Sequence, residues 1–107
     1  MRRIIQVSII SVALLGATAA FAQTHDLEAL IAGASTPAQH EALAEHYRSE
    51  GADARKRAEN HLRMAKRYGT TKGGARQKPH CEKLAADFED VAKNYDALAA
   101  GEEAAAK

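Results

Sequence analysis

The sequence predicts an all-α protein: an antiparallel two-helix hairpin preceded by a short helix, with dimerisation into a four-helix bundle as its expected assembly. Three observations carry this. Ala, Glu, Lys and Arg dominate the chain after residue 22, and runs of Val, Ile and Thr that could make strands are absent there. A ruler of alternating four and three residues lands on His40, Ala44, Tyr47, Gly51, Ala54, Ala58, His61, Ala65 and Tyr68, the spacing of a helix stripe that faces a partner helix along its length. A second such stripe, Cys81, Leu84, Phe88, Val91, Tyr95 and Leu98, follows a glycine-rich connector.

Residues 1–22 read as a secretory signal peptide. Arg2 and Arg3 form a positive start, residues 4–16 are mostly apolar, and Ala20-Phe21-Ala22 places small residues where a signal peptidase reads them. The apolar run is shorter than the roughly 20 residues a membrane span needs. Cleavage after Ala22 is expected to deliver a periplasmic or secreted protein. Removing 22 of 107 residues leaves 85, a single helical domain over residues 23–107. A chain this small with no Trp and only Phe88 after residue 22 has a thin core and gains from a partner.

The first element is a short helix over about 25–32, with Thr24 as cap, Leu27, Leu30 and Ile31 as one apolar patch, and Gly33 as its stop. So short a helix needs a surface to dock on. The long helix spans about 37–68: Thr36 is its N-cap, Pro37 suits the first helical position, and Gln39 completes a capping box. Gly69 to Lys78 is a loop, and a further helix runs from about Pro79 to Ala100, before Gly101. Folding the two long helices together pairs residues whose numbers sum to about 147 or 148. Large side chains on the second stripe then meet the small residues of the first. In that arrangement His40 caps Leu27, Leu30 and Ile31.

Without Arg2 and Arg3, 13 basic residues stand against 14 acids. Nine of the bases fall between Arg55 and Lys78 beside one acid, Glu59, whereas seven acids and three bases follow from His80 onward. The halves differ in sign. Arg63, Lys66, Arg67, Lys72, Arg76 and Lys78 make a basic surface around the connector that could meet anionic lipid headgroups. Export and the lack of interleaved aromatics argue against nucleic acid. No phosphate-binding loop, Gly-x-Ser-x-Gly, His-Glu-x-x-His or Cys-x-x-Cys occurs, and the chain is read as non-enzymatic, with no catalytic residue and no required cofactor.

Metal handling, with copper as the ion, is the alternative. Cleavage after Ala22 would expose Gln23-Thr24-His25, whose amine, two amides and His25 imidazole offer a square-planar nitrogen set. Met64, His80 and Cys81 lie toward the same end of the hairpin and are soft ligands suited to Cu(I). The plainer reading makes Cys81 a small core residue, and a single cysteine in an oxidising compartment is also a candidate for a disulfide between two copies. The expected partner is a second copy or another envelope protein.

Thr-Pro-Ala-Gln-His-Glu-Ala-Leu-Ala-Glu-His-Tyr (Thr36 to Tyr47), followed later by His-Cys-Glu-Lys-Leu-Ala (His80 to Ala85), resembles a loosely defined group of small exported bacterial proteins of unknown function. The resemblance covers about Thr36 to Ala100. It implies export and a helical architecture, and transfers no catalytic residue.

Overall fold

The computed structural model describes residues 27–107. Residues 1–22, read above as a signal peptide, and Thr24 and His25, read as a helix cap and a metal candidate, lie outside them. The described chain is mostly helical, with no strand among the described residues. Helix α1 covers residues 27–33, α2 runs Pro37–Gly69, a single 3-10 turn occupies Gly74–Arg76, and α3 runs Lys78–Ala105.

The start of α2 follows its sequence. Thr36 Oγ1 accepts from the Gln39 N–H at 3.3 Å, while the Ser35 and Thr36 N–H groups donate to Gln39 Oε1 at 2.9 and 3.2 Å. The helix thereby satisfies the backbone donors that its first turn leaves free. At the other end the Thr70 and Thr71 hydroxyls both donate to the Arg67 carbonyl, at 3.0 and 2.7 Å. The chain then turns through Gly73, at φ 79°, a conformation natural to glycine. Gly74 passes so close to α2 that an added Cβ would stand 2.1 Å from the Tyr68 carbonyl oxygen. Only glycine fits there.

All nine positions of the predicted α2 stripe are buried or half-buried. The α3 stripe is different. Its inner row is Cys81, Ala85, Ala92 and Ala99, all buried, with Phe88 and Tyr95 half-buried beside them. Leu84, Val91 and Leu98, expected to face α2, are 42%, 40% and 48% exposed. The helix is rotated so that small residues meet small ones. Gly51 shows why: a Cβ built there would lie 3.4 Å from the Tyr95 Cβ and 3.5 Å from the Ala92 carbonyl oxygen. Backbones this close leave room for alanine between them and none for leucine. The register stands near the expected one: Gly51 meets Tyr95 and Asp96, and His61 stacks on Phe88 with ring centroids 5.5 Å apart.

The core sits at the open end. Leu43, 1% exposed, packs with Tyr47 and Ala99, and Leu27, Leu30, Ala34 and Tyr95 close around them. So α1 docks as its length required, although Ile31 is 50% exposed. His40 is half-buried, and its Nδ1 is 2.7 Å from Glu102 Oε2. This contact explains a second correction. The helix expected to end at Ala100 continues through Gly101 to Ala105, because Glu102 and Glu103 are held by α2 through His40 and Arg48.

Candidate functional site

Leu84, Val91 and Leu98 are seven residues apart, so at 3.6 residues per turn they stand nearly in line along α3. Val91, Tyr95 and Leu98 line a shallow groove with Asn94. Beside it, Val91, Phe88 and Tyr95 line a second groove completed by Glu50, Asp53, Ala54 and Arg57 of α2. The outer face of the hairpin on this side is therefore an apolar ridge edged by α2 charges. Its aromatic members are fixed by packing. Phe88 lies between the His61 ring and the Arg57 guanidinium, the latter 5.8 Å from the ring centroid. Tyr95 stacks on Tyr47 at 6.2 Å.

A separate edge is closed by charge. Arg48 reaches Glu103, and Arg55 reaches Asp96, pairing the two helices at positions seven apart on each. Arg48 also donates to Glu41 at 2.9 Å and Glu45 at 3.1 Å. The hydrogen bonds to Glu41 and Glu45, helped by Glu103, raise its pKa further above the usual arginine value. Asp96 lies five residues beyond Val91, which turns this edge well away from the apolar ridge.

The metal candidates differ in how they are exposed. Cys81 is a free thiol buried in the seam at 6% exposure, whereas Met64 is 44% exposed and His80 is exposed. Among the described residues no group of three or more His, Cys, Asp and Glu side chains is placed to hold a metal ion. The burial of Cys81 also means that a disulfide between copies would require this end of the hairpin to open. His25 lies outside the described residues.

The basic residues behave otherwise. Arg63, Lys66 and Arg67 line an open groove with Thr70, and with Lys72, Arg76 and Lys78 they sit exposed around the connector end. Lys78 has Glu82 at 3.6 Å. One buried group was not anticipated: His61 Nδ1 has no hydrogen-bond partner, the single such side-chain atom found among the described residues. Its atom is closed off from solvent and cannot meet a substrate in this arrangement. No helix among the described residues is long and apolar enough to cross a membrane.

Comparison with protein-family models, with curated proteins and with solved structures finds no match to this chain. The resemblance to small exported helical proteins thus rests on Thr36 to Tyr47 and His80 to Ala85 alone.

Proposed function

We propose that this protein is a non-enzymatic helical interaction module of the cell envelope, exported by its N-terminal segment, whose working surface is the outer face of α3. The observation that carries the reading is the outward Leu84–Val91–Leu98 ridge, left open while alanines fill the seam. Fully burying a Leu or Val is worth about 1.5–3 kcal/mol. Each of these three is already somewhat more than half covered, so a docked surface would gain about 1 kcal/mol from each. The hairpin is rigid enough to present them. Its seam is closely packed, its connector is fixed by Gly74, and ion pairs staple one edge.

A photo-crosslinking residue in place of Val91, in the full chain within producing cells, tests this. The expected result is a discrete adduct at Val91 and none from Lys93, which is also exposed but points to another side of α3. Equal labelling from both positions, or none from Val91, would contradict the reading. The mass of the exported protein checks the address, with cleavage after Ala22 expected.

A further inference from the structure

We propose that the ridge is covered by a second copy of the same chain, packed antiparallel about a two-fold axis beside Val91. This rests on the reading of the outer α3 face as an interface, and adds the partner and its direction.

Two independent observations point there. The first is placement. Helix α3 spans Lys78–Ala105, and Val91 stands at its midpoint with Leu84 and Leu98 symmetrically on either side. A two-fold axis at Val91 overlaps the α3 helices of both copies from end to end. It sets Leu84 against Leu98 of the other copy, and makes the contact isologous, as closed dimers require. At 1.5 Å per residue the overlap is about 42 Å long. Three side chains alone do not make the roughly 800 Å² per partner of a standard interface. The adjoining α2 edge, with Met64, Arg57 and Glu50, would have to share in it.

The second observation is charge. A cut across the hairpin between residues 54 and 55, and between 92 and 93, passes close to Val91. On the connector side are ten Lys and Arg against five Asp and Glu. On the open side of the cut, counting residues 27–54 and 93–107, are three Lys and Arg against eight Asp and Glu. The described rod is therefore +5 at one half and −5 at the other, with histidines neutral. Two rods laid antiparallel match positive half to negative half twice. Laid parallel, they would set like charges together at both ends. The ridge supplies the contact and the charge supplies its direction.

Sedimentation of the purified protein at low and high salt tests this without any substitution. The expected result is a dimer that weakens about tenfold or more as salt rises from about 0.05 M to about 0.5 M, since screening shortens the reach of exposed charges. A monomer throughout, or a dimer that tightens with salt, would overturn it. Cysteine pairing supplies the direction. With Cys81→Ala removing the native thiol, a mixture of Leu84→Cys and Leu98→Cys chains should form a disulfide, and Leu84→Cys alone should not. Linking of Leu84→Cys to itself would mean a parallel pair and would also overturn it. Charge reversal gives a third arm. Arg57→Glu, and Glu50→Lys with Asp53→Lys, all on the α2 edge beside the ridge, should each sediment mostly as monomer alone and as dimer when mixed. A Val91 crosslink to a different protein, with a monomer in solution, would sink this inference and leave the interaction module standing. Absence of any Val91 adduct would sink the module reading itself.

Discussion

Gly51 and Gly74 look equivalent in the sequence and are held to their identity by very different amounts. At Gly74 an added methyl would overlap the backbone of Tyr68, which has no freedom to withdraw. Gly74→Ala is therefore expected to lower stability by about 2 kcal/mol or more, within the range overpacking and strain produce, as read from the urea midpoint. At Gly51 the nearest atom is Asp96 Oδ1 at 3.2 Å, the movable end of an exposed side chain. Alanine there regains about 1 kcal/mol of helix propensity, and the contact with Asp96 offsets part of it. Gly51→Ala should thus leave the midpoint close to the parent or slightly above it, while Gly51→Leu abolishes cooperative unfolding. His61 presents the opposite case. Its Nδ1 is buried with no partner, at a cost of about 1–3 kcal/mol for such a group. His61→Phe keeps a ring against Phe88 and removes that nitrogen, so a gain in thermal stability is expected. A large loss instead would show that the nitrogen has a partner in solution.

Among the elements, α1 depends on the small cluster around Leu43, and the last turn of α3 on its terminal charges. Leu43 is the largest fully buried side chain among the described residues, and α1 packs against the cluster it anchors. Leu43→Ala should cost about 2–5 kcal/mol, and hydrogen exchange should show α1 losing protection first, because so short a helix has no stability of its own. The final turn of α3 is held by the side chains of Glu102 and Glu103, and the Ala106 N–H donates to the Glu102 carbonyl at 3.0 Å. Replacing both with Ala should free the amides beyond Gly101 and leave those around Ala92 unchanged.

These elements also show what could be read from the sequence. Helix α2 was legible along its whole stripe because only one set of its positions combined helical spacing with small side chains. Helix α3 carries two such sets, which share Cys81, Phe88 and Tyr95 and differ in taking Leu84, Val91 and Leu98 or Ala85, Ala92 and Ala99. Hydrophobicity favours the first set, and the distance between backbones selects the second. That distance is a property of two helices together, and it is not written in either one. The continuation of α3 past Gly101 was hidden for the same reason, since the contacts that hold it come from residues about 60 positions away, with His40 and Glu102 separated by 62.

For the whole molecule, the consequence of an alanine seam is that the larger apolar residues remain outside. Methyl groups gain little from burial one by one, about 0.8 kcal/mol per carbon, so the hairpin relies on close contact along its length. The outer ridge is where further stabilisation is available. Shielding it with a second copy would couple folding to association, and the apparent Tm should then rise with protein concentration. The measurement that tests the central claim most directly is a comparison of two neighbouring substitutions, Val91→Lys and Ala92→Leu, by circular dichroism during thermal unfolding. With alanines inside and the ridge outside, Val91→Lys remains helical and unfolds cooperatively, whereas Ala92→Leu forces the helices apart and loses its cooperative transition. A folded Ala92→Leu protein beside an unfolded Val91→Lys protein would contradict the account.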